Sequence, residues 1–565
     1  MPTEEIKICQ NCKKEFTIEP EDFLFYERIK VPPPTFCPAC RVQRRMAFLT
    51  DRAFYKRKCD ATGQMIFSHF SAQAPVKVYD HDYWWSDKWD AMSYGRDYDF
   101  AKSFFEQFKS LTKEVPLSSR SMINLVRSDY SDHADNLKDC YLTFYASYLE
   151  NVAYGVDVIE VKDSLDVENS RKLELCIDGL LDGNCYGCVA TLNCGDCHNV
   201  WLSRDCVGCT ECVGCANLKN KSYYIFNEKY TKEEYEIRKQ ELQLNTLSGF
   251  EAAKKKAKEI WIQYPHRFMR GSNNTIVSGD YIYHSKNAKN SYIGAELENV
   301  RYCQLVTGTK DSYDYTTWGD GAELLYECAE CGLGTQRLKS CWDCWPSSQN
   351  LEYCMQCHSS SDLFGCIGLR KKQYCIFNKQ YTKEEYESLV AKIKEQMSAM
   401  PYRDVVGRQY RYGEFFPVEF SPYMYHETKA RVFFPLSANE IVAQGFRTGE
   451  KEKKSYQPTI SHDKLPEGIE SVQDDIVKEI ISCSHCGGAF RIIPSELQIY
   501  RKLKTPLPRI CPDCRSHERA AQRNPIALWK RTCMASNCSN EFETAYSPDR
   551  PETIYCETCY QNAVI

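Results

Sequence analysis

Cysteine is the residue whose number and spacing could do chemistry in this chain. There are 32 among 565 residues, most of them in C-x-x-C pairs. In a reducing compartment paired cysteines point to metal before disulfides. Cys9-x-x-Cys12 and Cys37-Pro-Ala-Cys40 stand 24 residues apart, and so do Cys483-x-x-Cys486 and Cys511-Pro-Asp-Cys514. The likeness extends between the pairs: Phe16, Pro20, Tyr26 and Lys30 align with Phe490, Pro494, Tyr500 and Lys504. Two such knuckles place four thiolates around one tetrahedral Zn²⁺, whose charge permits their deprotonation. A third set, Cys533-x4-Cys538 with Cys556-x-x-Cys559, lies near the end. The expectation is therefore at least three zinc ions per chain, on Cys9, Cys12, Cys37, Cys40, Cys483, Cys486, Cys511, Cys514, Cys533, Cys538, Cys556 and Cys559.

Residues 59–85 repeat the layout of the third set with Cys59 alone; Thr62, Asp80 and Tyr83 stand where the other cysteines would be. One thiol cannot hold a structural zinc, so this segment reads as the same fold without metal, its core enlarged by Trp84 and Trp85. The pattern C-x-x-C…F…Y…P-P-x-x-C-P-x-C-R, here Cys9 to Arg41, resembles short bacterial zinc-ribbon (treble-clef-like) domains over about 35 residues at each end. The stretch from Gly413 to Thr428, together with the remainder of the last 150 or so residues, looks like larger bacterial zinc-ribbon proteins. The resemblance implies zinc and brings no activity with it.

The elements between these ends keep a twelve-residue period. Leu137, Leu149, Val161, Leu173, Cys185, Cys197 and Cys209 begin successive rows, and Cys140, Val152, Ser164, Cys176, Cys188, Val200 and Cys212 stand fourth. Rows of 13, 13 and 12 return at Leu325, Leu338, Leu351 and Leu363. Each array ends in Ile-Phe-Asn and then Tyr-Thr-Lys-Glu-Glu-Tyr-Glu, at Ile225 and at Ile376. A short strict period with apolar columns means stacked rungs. Twelve residues are too few for helical or leucine-rich repeats, which leaves a β-solenoid with coils of 12 or 24 residues. Thr231-x-x-Glu234 and Thr382-x-x-Glu385 are capping boxes that open helices near 231–260 and 382–398, and another helix is expected over 100–113.

The predicted fold class is mainly β with some α: zinc ribbons at both ends flanking two duplicated short-period β-solenoid arrays, each capped by a helix. The expected order is a zinc ribbon (1–58), a metal-free ribbon (59–99), a helix and connector (100–136), array 1 (137–262), array 2 (263–400), an aromatic, proline-rich linker over the surface (401–475), and zinc ribbons at 476–530 and 531–565. The four ribbons are expected to close into one unit, with Trp84, Trp85 and Trp89 buried between them.

Nineteen cysteines fall in the arrays. Three readings stay open: an inert ladder of small buried side chains, additional zinc between stacked pairs, and an iron–sulfur cluster at Cys206, Cys209, Cys212 and Cys215. His198 and His358, each after a C-x-x-C pair, are expected to face solvent.

Net charge is −5, but residues 41–58 carry +6 and residues 483–531 carry +7. Basic modules on an acidic body suggest contact with a polyanion, and Arg41, Arg44, Arg45, Arg515, Arg519 and Arg523 are the candidates for RNA or DNA phosphates. There is no Walker loop, G-x-S-x-G, H-E-x-x-H or dinucleotide fingerprint. The column Asp139, Asn151, Asp163, Leu175, Gly187, Asn199, Glu211 is too irregular for the paired carboxylates of a carbohydrate-active site. The chain therefore reads as a non-enzymatic zinc-binding scaffold for a protein partner or for itself, with a nucleic-acid- or ribosome-binding protein as the alternative. No apolar run is long enough for a membrane helix, and the start Met1–Lys7 lacks a secretory signal, so a cytoplasmic setting is expected.

Overall fold

The architecture rests on one backbone habit. In the computed structural model, which describes residues 3–449 and 456–564, a residue of left-handed φ recurs every third position: His133, Asn136, Asp139, Leu142, Tyr145, Tyr148, Asn151 and onward. Each such residue turns the chain, so twelve residues make four short faces. The strands accordingly pair in parallel twelve residues apart, Leu125 with Leu137, Leu137 with Leu149, Leu149 with Val161, Val161 with Leu173 and Leu173 with Cys185. Backbone donors alternate between the coil ahead and the coil behind: Tyr141 donates to Val152 at 2.9 Å, and Asp139 to Val126 at 3.0 Å. Paired strands of the first stack therefore stand 12 residues apart in sequence rather than 24.

The first stack runs from Met122–Val126 to Ser222–Ile225 and ends in the antiparallel Glu228–Lys229. It starts one row before Leu137, inside the segment expected as connector. The second stack begins at Gly271–Ser272 and continues to Gln373–Ile376, with pairings of 13 where Tyr313 meets Tyr326 and of 12 where Leu351 meets Leu363.

The left-handed turns explain the irregular polar column. Asp139, Asn151, Asp163, Leu175, Gly187, Asn199 and Glu211 all have positive φ, the conformation that Gly, Asn and Asp tolerate best. Stacked amides and carboxylates bond along this column, Asn151 to Asp163 at 2.6 Å and Asn199 to Glu211 at 2.7 Å. The buried interior is filled by the residues between turns, Leu137, Cys140, Ala146, Leu149, Val152, Val158 and Val161 among them.

Both predicted capping boxes form. Thr231 and Glu234 open a helix, Lys232–Glu241, succeeded by a second, Leu247–Gln263; Thr382 and Glu385 open Lys383–Ala399. The expected 100–113 helix is Phe104–Glu114, capped by Ser103. With helices also in every terminal module, the molecule mixes α and β, and its cysteine clusters lie near both ends.

The segment after residue 400 is not a surface strap. Tyr410, Phe415, Phe416, Tyr423 and Ala430 are buried in the core shared by the N-terminal module and the second stack. Residues 450–455 of that segment, with residues 1, 2 and 565, lie outside the described residues. Among those described, no helix is long and apolar enough to cross a membrane.

The terminal modules do not gather into a separate unit either. Phe25 of the N-terminal module stacks on Tyr313 of the second stack, with ring centres 3.8 Å apart. Glu496 of the C-terminal copy accepts from Tyr154 of the first stack at 3.1 Å. Trp84 is fully buried as expected, but it packs on His358 of the second stack, and Trp85 packs on His358 and Trp345.

Candidate metal centres

Each four-cysteine set converges. Cys9, Cys12, Cys37 and Cys40 bring their sulfurs within 4.8 Å of one another, and so do Cys483, Cys486, Cys511 and Cys514, and Cys533, Cys538, Cys556 and Cys559. The local fold recurs. A hairpin (Glu5–Ile8 with Glu15–Ile18, or Ile481–Ser482 with Ala489–Phe490) presents the first pair. A helix starting at the proline after Cys37 or Cys511 (Pro38–Met46 or Pro512–Ala520) presents the second. The aligned Lys30 and Lys504 are left-handed residues that end the intervening helices.

Sulfur–sulfur separations of 3.7 Å (Cys12–Cys37), 3.8 Å (Cys486–Cys511) and 3.9 Å (Cys538–Cys556) match the spacing of about 3.8 Å set by four thiolates at about 2.3 Å from a tetrahedral ion. Backbone N–H groups point at the first sulfur of each set: Cys37 to Cys9 at 3.2 Å, Cys511 to Cys483 at 3.2 Å and Cys556 to Cys533 at 3.3 Å. Burial raises the Cys483 thiol, and the N–H groups of Cys486, Cys511 and His485 more than offset it, bringing it to about 6. These sets can hold metal ions as thiolates.

Cys59 keeps the same geometry without its companions. It accepts from the N–H of Asp80 at 3.3 Å, as Cys533 does from Cys556. Its hairpin (Tyr55–Lys58 with Met65–Ser68) and short helix His81–Trp85 keep the layout of the third set.

The array cysteines are built differently. Inside a stack, C-x-x-C places two thiols on successive inward positions of a three-residue turn. Cys176 donates to the carbonyls of Glu174 at 3.4 Å and Cys185 at 3.5 Å, and Cys197 to Gly195 at 3.2 Å and Cys206 at 3.4 Å. Burial pushes Cys140 up to about 11 and Cys303 up to about 12. Buried and bonded to backbone oxygen, these thiols fit the ladder reading. No array cysteine belongs to any convergent metal-ligand set among the described residues. His198 is exposed as expected, but His358 is not. It is buried against three tryptophans, and its Nδ1 lies 2.6 Å from the Trp345 carbonyl.

The six arginines expected to meet phosphates are turned inward. Arg41 pairs with Asp314 at 2.9 Å; Arg44 pairs with Glu327 at 2.6 Å and Glu414 at 3.3 Å; Arg45 pairs with Asp314 at 3.2 Å and Glu327 at 2.8 Å. Arg515 pairs with Asp166 at 2.7 Å, Arg519 with Asp166 and Asp178 at 3.1 Å each, and Arg523 with Glu168 at 2.6 Å. Asp166 and Asp178 stand twelve residues apart, Asp314 and Glu327 thirteen, and all four are left-handed turn residues on neighbouring coils. The N-terminal module and its C-terminal copy thus each insert an arginine-bearing helix onto a pair of stacked acids. The arrangement crosses over, with the N-terminal module on the second stack and its C-terminal copy on the first.

One constellation has no trace in the cysteine pattern. His69, Asp132 and His133 bring potential ligand atoms within 4.8 Å of one another. His69 Nδ1 lies 2.6 Å and His133 Nδ1 3.0 Å from Asp132 Oδ2, and His133 Nε2 lies 3.2 Å from Glu330 Oε1. The Cys59 module, the first stack and the second stack each contribute. Residues this far apart in sequence leave no spacing to read.

No family model matches the chain, and no curated protein matches it. Among solved structures, a protein described as a putative acetyltransferase from Desulfovibrio desulfuricans aligns at 10% identity over 52% of this chain and 77% of its own, with a TM-score of 0.10. A likeness that slight carries no argument about fold or activity.

Proposed function

We propose that this chain is a non-enzymatic scaffold held together by structural zinc. Its two arrays are short-period β-solenoids, and zinc-ribbon modules at both ends lock onto them. The observation that carries this reading is the pair of arginine helices seated on stacked acids. In the first ribbon and its C-terminal copy the helix that follows the third cysteine also carries docking arginines, Arg41, Arg44 and Arg45 or Arg515 and Arg519, so the ion that orders the knuckles also orients the docking surface. Four cysteines per set fill a tetrahedral shell and leave none of the open positions catalysis by zinc requires. Soft thiolate donors in tetrahedral array favour zinc. With all six arginines engaged internally, the nucleic-acid reading loses the residues on which it rested. The partner is proposed to be another protein or a second copy of the chain.

Protein purified without chelator should carry three zinc ions on the terminal thiolates. Stripping them should expose the segments around Arg41–Arg45 and Arg515–Arg523 to protease before the stacks are cut. Fewer than two ions per chain, or unchanged protease resistance after stripping, would overturn the reading. Light scattering of the intact chain, alone and in cell extract fractions, tests self-association against a foreign partner.

A further inference from the structure

We propose that His69, Asp132 and His133 form a fourth metal centre, chemically distinct from the thiolate sites, which takes one divalent transition-metal ion through the two Nδ1 atoms and Asp132 Oδ2. Its first support is charge. Three other clusters of buried acids are met by arginine: Asp314 and Glu327 by Arg41, Arg44 and Arg45, Asp166 and Glu168 by Arg515, Arg519 and Arg523, Asp205 by Arg204 and Arg270. Asp132 and Glu330 are buried to the same degree, yet the groups at ion-pair distance from them are the imidazoles of His69 and His133. Buried charge without compensation costs several kcal/mol or more, and one divalent ion balances two carboxylates.

The second support is geometry. His133 Nδ1 is buried and has no hydrogen-bond partner, although Asp132 Oδ2 lies only 3.0 Å away. A nitrogen and an oxygen that close but off the hydrogen-bond line are placed as neighbouring ligands on one cation. At about 2.1 Å from the ion, adjacent donors sit about 3.0–3.4 Å apart; His133 Nδ1 meets that spacing at 3.0 Å, whereas His69 Nδ1, 2.6 Å from the same oxygen, must draw back to reach it. The third support is the outer shell. Metal-bound imidazoles characteristically direct their other nitrogen toward a carboxylate, and His133 Nε2 faces Glu330, whose second oxygen accepts from the Trp342 indole at 3.0 Å. Asp132 Oδ1 is likewise held by the Ser121 N–H at 2.9 Å.

Two imidazole nitrogens and one carboxylate oxygen suit zinc, iron(II) or their first-row neighbours rather than magnesium or calcium. On binding, the ion replaces the proton shared by His69 Nδ1 and Asp132 Oδ2, and that proton leaves to solvent. The site would clasp the Cys59 module to both stacks, whereas each thiolate set draws all four ligands from its own module. The rival arrangement is an imidazolium at His133 with no metal. Without a cation, burial opposes protonation of His133, and Asp132 and Glu330 overcome it, raising it to about 10.

The test is elemental analysis of full-length wild type and His69→Gln, purified without chelator. The expected result is four divalent ions falling to three, with the thiolate-bound three retained. Equal counts in the two proteins overturn the proposal. If the variant does not fold, X-ray absorption on wild type decides at the edge of each metal found: a nitrogen/oxygen shell beside the sulfur shell supports the site, and sulfur alone refutes it. Cys511→Ser reports on the thiolate sites separately, so failure of either reading is distinguishable.

Discussion

Replacing Glu327 by glutamine tests the docking of the N-terminal module with a built-in control. The three arginines of the Pro38–Met46 helix face three buried carboxylates, Asp314, Glu327 and Glu414. Glu327→Gln keeps the volume and removes one charge. Arg44 is left with Glu414 at 3.3 Å and Arg45 with Asp314 at 3.2 Å, so one guanidinium charge is buried without balance. Removing one partner from a buried ion pair costs about 3–5 kcal/mol. At about 1.4 kcal/mol per tenfold, a cost of about 3 kcal/mol raises the population in which this helix is undocked by about 100-fold. Amide hydrogen exchange resolves that opening: the 38–46 amides should exchange about two orders of magnitude faster than in wild type. The copy, Pro512–Ala520, docks on the other stack through Asp166 and Asp178 and should be unchanged. Equal acceleration in both helices would mean the charge matters only to global stability. No acceleration in either would mean the cluster contributes nothing to docking.

The same geometry sets other outcomes. Cys511→Ser should release one metal ion and destabilise its module, whereas Cys366→Ser should keep full metal content and cost under about 1 kcal/mol, because Ser164 already fills an equivalent inward position by donating to the Lys162 carbonyl at 2.7 Å. Asn151→Val should lower the thermal midpoint, since a β-branched residue at φ 53° costs about 1–2 kcal/mol and the bond to Asp163 is lost as well. Burial lowers His358 to about 3, so the unfolded chain binds a proton that the folded one refuses between about 6.5 and that value; stability should fall as pH drops through this window. His358→Gln should flatten this part of the acid-unfolding curve.

Several features were legible because they rest on local chemistry. The three thiolate sets announce themselves by spacing, since a knuckle is a short turn whose geometry lies within a few residues. Thr231 and Thr382 cap helices through bonds to residues three positions on. The twelve-residue period placed Leu137, Leu149, Val161 and Leu173 in one buried column. Its left-handed turns were missed, although the Asn, Asp and Gly of the third column are the residues such turns favour. Residue types alone record a preference there, not a φ angle.

Tertiary structure decided the rest. C-x-x-C has one spelling and two meanings: in a terminal knuckle two pairs converge as a four-sulfur set, whereas in a stack the thiols donate to backbone carbonyls and join no such set among the described residues, and only the path of the backbone separates the two. The arginine runs have a sign but no direction in sequence. Their burial depends on Asp166, Asp178, Asp314 and Glu327, acids hundreds of residues away that gain meaning only when neighbouring coils stack. The crossing of each terminal module onto the far array, and the meeting of His69, Asp132, His133 and Glu330, require three separate segments to be folded first. Sequence therefore determined the chemistry that operates within a turn, and the packed fold determined which charges and ligands meet across it.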